Sequence, residues 1–220
     1  MDDILLNIIV LGCFAILGGG IFLLVQMKQK ENRQKLEQMA NEHGWRLQTI
    51  KEPLAWGFHI QSADWTLEAL SRSTGRESGP GSTDVSQSTI WSASSKGDVF
   101  LIGTRTSQVD LGGFGEMIQM HIIQEFLGSA ADDVHEMKVG TQNFINHYMV
   151  WAAKSAEMEQ MLTPSLQAML LSLSVRNLLV KRVDGKLSIE LRGIHLKNPD
   201  ELQQLIQVGE SLLHKMNVKS

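Results

Sequence analysis

Between Asp3 and Lys28 stand 24 residues without a charge, Ile4 to Met27, reading ILLNIIVLGCFAILGGGIFLLVQM. A helix of that length reaches about 36 Å at 1.5 Å per residue. That is enough to cross a hydrocarbon layer of about 30 Å with some tilt. Fifteen of the 24 are Ile, Leu, Val or Phe, each favourable by roughly 0.3–0.6 kcal/mol near the bilayer centre. Their sum outweighs Asn7, which stands near one end. The expectation is a transmembrane helix over 4–27. A cleaved secretory signal fits poorly, because the leading charges are Asp2 and Asp3 and no small-x-small site follows the long apolar run. A buried core helix fits poorly too, since the stretch has no polar face.

Orientation follows from the flanks. Lys28, Lys30, Arg33 and Lys35 crowd one end against Glu31, while the other end carries only two aspartates. The positive-inside rule then puts residues 28–220 in the cytoplasm and the N-terminus outside a cell inner membrane. Gly12, Ala15 and Gly19 offer small residues on which another helix could pack. Cys13 is the single cysteine, so the rest of the chain has no disulfide, thiolate nucleophile or cysteine-based zinc site.

Residues 28–43 are rich in helix formers and stop at Gly44, which predicts a helical stalk. From 44 to 220 the pattern predicts one α+β domain, an antiparallel sheet packed by helices. Strands are expected at Trp45–Ile50, Trp56–Ala63, Trp65–Ser71, Ser88–Ala93, Asp98–Thr104 and Phe144–Lys154. Lys96-Gly97 reads as a turn joining the fourth and fifth of these into a hairpin. The Ser/Thr/Gly composition of 72–86 predicts a flexible loop. Glu116–Leu127 has helical spacing, Ser155–Met161 can make one or two helical turns, and Thr163-Pro164 reads as a cap opening a further helix. Asp184-Gly185 predicts a type I′ hairpin between Asn177–Val183 and Lys186–Arg192. Asn198-Pro199-Asp200-Glu201 then starts a helix whose apolar face is Leu202, Leu205, Ile206, Gly209, Leu212, Leu213 and Met216.

Chemical signatures are sparse. The net charge of −4, from 20 Lys+Arg against 24 Asp+Glu, argues against nucleic acid as a partner. GRESGPGST fails as a phosphate loop, because Pro80 occupies the second glycine position and no lysine precedes Ser82. Gly112-Gly113-Phe114-Gly115 leads into a helix pattern, and helix N-termini attract anions, yet it lacks dinucleotide spacing. His121, Asp132, Asp133, His135 and His147 form only a loose set with no metal-ligand spacing. Five tryptophans, Trp45, Trp56, Trp65, Trp91 and Trp151, fall in or beside predicted strands and read as packing residues.

The order of these parts resembles that of uncharacterised bacterial single-pass inner-membrane proteins carrying a domain of unknown function. The resembling pieces are the apolar N-terminus, the stalk running into NEHGW, DWTLEAL, STIWSA followed by DVFLIGTR, YMVWA followed by MLTPSLQAMLL, and LSIELRG followed by LQQLIQVGESLL. The resemblance implies the architecture; it implies no activity, cofactor or metal, and no catalytic, cofactor-binding or metal-binding residue is carried over from it.

The expectation is therefore a membrane-anchored, non-enzymatic interaction or scaffold domain with the lipid bilayer and protein partners in a membrane complex, and a homo-oligomer is compatible with it. The alternative is a tethered enzyme or small-ligand binder using the Gly112–Gly115 helix start with His121 or His147. A third reading has the span itself pack with other helices while the domain regulates that assembly.

Overall fold

The structure is a computed structural model that describes residues 20, 23–24, 26–77, 83–105, 123–173 and 177–217. The chain divides into two compact units, Met1–Gly44 and Trp45–Ser220. In the first unit residues 26–42 are helical (α1). This helix carries two ion pairs one turn apart, Arg33–Glu37 and Lys35–Glu31, both at 2.8 Å. Most of 4–27, with Gly12, Cys13, Ala15 and Gly19, lies outside the described residues. Among the described residues no helix is long and apolar enough to cross a membrane.

The second unit is α+β, built on one nine-stranded sheet whose strand pairs are all antiparallel. The strands are β1 Arg46–Glu52, β2 Ala55–Gln61, β3 Trp65–Glu77, β4 Thr83–Ser94, β5 Phe100–Thr104, β6 His135–Met137, β7 Tyr148–Ala152, β8 Leu178–Val183 and β9 Lys186–Arg192. Their spatial order is β1-β2-β3-β4-β9-β8-β5-β7-β6. Helices are a short run at 123–127 (α2), α3 Gln142–His147, α4 Ser155–Met161, α5 Pro164–Ser172 and α6 Pro199–Asn217.

The alternation of β-strands assigns each side chain to one of two faces. On one face Leu67, Trp91, Ile189, Val180 and Ile102 occupy neighbouring strands in register and are wholly buried. The apolar stripe of α6 lies on this face, with Leu202, Leu205, Ile206, Leu212, Leu213 and Met216 buried. Gly209 lets the helix approach the sheet, since a β-carbon there would stand 2.4 Å from the Trp91 ring. Trp65 and Trp91 are 6.3 Å apart, and the Trp65 indole N–H donates to Glu210 of α6 at 3.0 Å. On the opposite face Leu101, Trp151 and Leu179 pack under Ile123 and Leu127 of α2 and Ala131 of the 3₁₀ turn Gly128–Asp133. Along β3 and β4 that face is mixed, with Leu70 buried and the Thr66 and Ser92 hydroxyls 3.1 Å apart.

Three local expectations are corrected. Residues 72–86 are not one loop: β3 runs on to Glu77 and β4 begins at Thr83, with a register shift between Ser73 and Glu77. Backbone ladder bonds need no apolar side chains, so composition underestimates such a hairpin. Phe144–Lys154 is not one strand. Its first part is α3, where the Thr141 hydroxyl accepts from the Phe144 N–H at 3.3 Å and buries Phe144 against Tyr148; the cap overrides β-propensity. β4 and β5 are not a hairpin, for the β9–β8 pair stands between them.

The third correction has a named cause. Arg182 of β8 is almost wholly buried and reaches the Lys96–Asp98 connector, where its guanidinium donates to the Asp98 carbonyl at 2.6 Å and the Lys96 carbonyl at 3.2 Å. It also pairs with Glu157 of α4 and lies over the Phe100 ring at 5.1 Å. Gly97 has φ +132°, and a β-carbon there would meet the guanidinium at 2.6 Å. The glycine that signalled a tight turn instead makes room for an arginine from a distant strand.

The C-terminal elements follow the pattern. Asp184 and Gly185 have φ of 53° and 72°, as a type I′ turn requires. The Asn198 side-chain oxygen accepts from the Asp200 N–H at 3.1 Å. Thr163 and Pro164 do precede and begin α5, yet the Thr163 hydroxyl makes no capping bond and is buried without a partner among the described residues.

Candidate functional site

Gly112–Gly115 and His121 lie outside the described residues. Asp132 and Asp133 close the 3₁₀ turn, and His135 is exposed on β6. His147 ends α3, exposed, with Nδ1 2.8 Å from the Asn143 carbonyl oxygen. Among the described residues no group of three or more His, Cys, Asp or Glu side chains could hold a metal.

A pair that sequence reading missed is Ser71 and His195, 124 residues apart, with Oγ and Nδ1 separated by 2.6 Å. Burial, and secondarily Lys197, holds the imidazole below its ordinary pKa. The geometry is that of a serine beside a base, but Ser71 is wholly buried, so its hydroxyl cannot meet a substrate. Its neighbourhood explains it structurally. The Thr89 hydroxyl donates to the Ile194 carbonyl at 2.9 Å and accepts from the Leu196 N–H at 3.0 Å, while the Gly193 N–H donates to the Gln87 carbonyl at 2.8 Å. Ser71 and Thr89 stitch the β9–α6 connector onto the sheet. Separation in sequence left no signal for the pairing.

A cleft of about 270 Å³ above Arg182 is lined by Lys96, Glu157, Gln160 and Lys215. Beside it Lys154 bonds Asp98 at 2.6 Å, which lowers the Asp98 pKa and raises that of Lys154. The arginine at its base is already committed to two carbonyls and a carboxylate, which marks it as a structural clamp.

Within the unit Trp45–Ser220 the exposed large apolar residues among those described stand at the end of the sheet where β1 turns into β2. Leu54 is 57%, Trp56 39% and Val85 41% exposed. Trp56 and Val85 share a face at this end, since Trp56 pairs with Ser71 and Val85 with Ser73 two residues further along β3, and the Ser73 N–H donates to the Leu54 carbonyl of the β1–β2 turn at 2.8 Å. On the opposite face of the sheet, that of Leu70 and Arg72, a concavity of about 360 Å³ is lined by Ile50, Leu54 and Leu70, with Glu52, Glu68 and Arg72 also around it. Apolar residues so placed, ringed by charges, have the composition of a protein-contact surface. The run Pro53-Leu54-Ala55-Trp56 was the available signal, apolar residues in a turn where polar ones are usual. No protein family, curated protein or solved structure matches the chain.

Proposed function

We propose that this protein is a membrane-anchored interaction domain of a membrane complex, without catalytic activity of its own. The single observation that carries the interaction role is the exposure of Leu54, Trp56 and Val85 at one end of the sheet. Leaving them in water costs hydrophobic free energy that a partner would recover. Burial of the Ser71 hydroxyl supports a non-enzymatic reading of the Ser71–His195 pair. The anchor rests on the charge-free stretch 4–27 and on the helical, exposed Leu23, Leu24 and Met27 at its end. The basic flank orients the domain to the cytoplasmic side of an inner membrane.

Two measurements test the proposal. Carbonate washing is expected to leave the chain in the membrane fraction, and protease added to intact spheroplasts to spare the C-terminal unit. Site-specific photocrosslinking from Trp56 is expected to trap a defined protein, with Leu54→Ser lowering the yield. Release by carbonate overturns the anchor; uniform labelling of water-exposed positions without a defined adduct overturns the contact surface.

A further inference from the structure

β1 is an outer strand of the sheet, hydrogen-bonded to β2 on one side. Its other side has no strand partner among the described residues and presents backbone N–H and C=O groups, a template for a further strand. Five of its seven residues, Arg46, Gln48, Thr49, Lys51 and Glu52, are exposed. Neither Arg46 nor Glu52 has an ion-pair partner among the described residues.

Edge charges ordinarily repel an incoming strand. In RLQTIKE they are arranged otherwise. An antiparallel strand of identical sequence, centred on Thr49, sets Arg46 opposite Glu52 and, by symmetry, Glu52 opposite Arg46. Both members have the same parity along β1, so each facing pair shares a face of the sheet. Leu47 meets Lys51, whose stem is apolar, and Gln48 meets Ile50. Moving the centre by one residue, to Gln48 or Ile50, puts Arg46 opposite Ile50 or Leu54 and loses both charge matches. Opposite charges directly across an antiparallel pair are favourable and like charges are not. The pattern therefore favours this self-pairing over its neighbouring registers. Ile50 and Glu52 also line the concavity described above, so a strand added to β1 borders it.

We propose that β1 is a self-recognition edge, through which two copies of this chain join antiparallel about Thr49 into a two-fold symmetric dimer with a continuous sheet. This deepens the interaction reading by naming a partner and rests on it. Membrane fractionation and association are separate measurements, so failure of one is distinguishable from failure of the other.

The experiment uses the full chain in mild detergent, with association measured by sedimentation equilibrium. Wild type is expected to dimerise. R46E and E52R each replace two attractive pairs with two repulsive ones and are expected to weaken dimerisation on the order of tenfold or more. The double variant R46E/E52R restores opposite charges in the same register and is expected to recover it. Both side chains are exposed and outside any ion pair among the described residues, so the melting temperatures of all three variants should stay near wild type. In a Cys13→Ser background, Thr49→Cys is expected to form an interchain disulfide on mild oxidation, because residue 49 faces its own copy across the axis. A monomeric wild type, association that the single charge changes leave untouched, failure of the double variant to recover, or absence of the disulfide at position 49 overturns the proposal.

Discussion

Gly209 offers a test in which two physical effects have opposite signs. In an exposed helix, replacing an interior glycine with alanine gains about 0.8–1 kcal/mol from backbone propensity. At this position the new β-carbon would stand 2.4 Å from two atoms of the Trp91 ring and 2.8 Å from a third. Trp91 is wholly buried, so either the ring must tilt in a packed core or α6 must lift from the sheet. Overpacking of this kind costs about 1–3 kcal/mol, and a contact so short belongs at the upper end. Net destabilisation should be about 2 kcal/mol. For a folding unit of about 175 residues, that lowers the melting temperature by about 4–8 °C. Near-UV circular dichroism of the full chain in mild detergent would measure it. Gly209→Ala in a Trp91→Leu background should then be neutral or stabilising, since the obstructing ring is gone. A raised melting temperature in the single variant would refute the close packing of α6 on Trp91.

Other expectations follow from buried polar groups. Arg182→Ala should cost about 3 kcal/mol in urea denaturation, the lower end for a broken buried pair because Glu157 can rehydrate; Arg182→Lys should recover little, since an ammonium lacks the fork that reaches three acceptors. Tyr148, the single tyrosine, donates to the Leu170 carbonyl at 2.9 Å, and burial pushes its pKa up to about 12. Its phenolate absorbance should therefore appear near pH 12. The folded pKa lies above the unfolded value near 10, so this contribution to stability is whole below about pH 10 and is lost as pH rises toward 12; Tyr148→Phe should flatten that alkaline loss. His195 has the opposite sign, because its folded pKa is lowered. Its contribution is present above the unfolded value near 6.5 and is lost as pH falls below it, so His195→Asn should reduce the loss of stability between about pH 7 and 5.

Elements held by neighbouring residues were legible in the sequence. The Asp184-Gly185 turn, the Asn198 cap and the apolar stripe of α6 depend on backbone preferences and on periodicity within a few turns, and they stand where the pattern put them. The failures share another cause. Whether 142–147 curls into a helix depended on one capping hydroxyl and on the burial of Phe144. The candidate surface at Leu54, Trp56 and Val85 draws on the β1–β2 turn and on two separate strands, so only strand pairing could assemble it.

By itself the sequence determined a charge-free stretch long enough to span a bilayer, an α+β composition and the local turns and caps, because each depends on residues close in the chain. Tertiary structure alone decided the strand order, the closing of Ser71 against His195, and the passage of Arg182 into the β4–β5 connector. Those outcomes depend on which distant strands become neighbours. Packing of the whole sheet settles that at once, and no local segment carries the information.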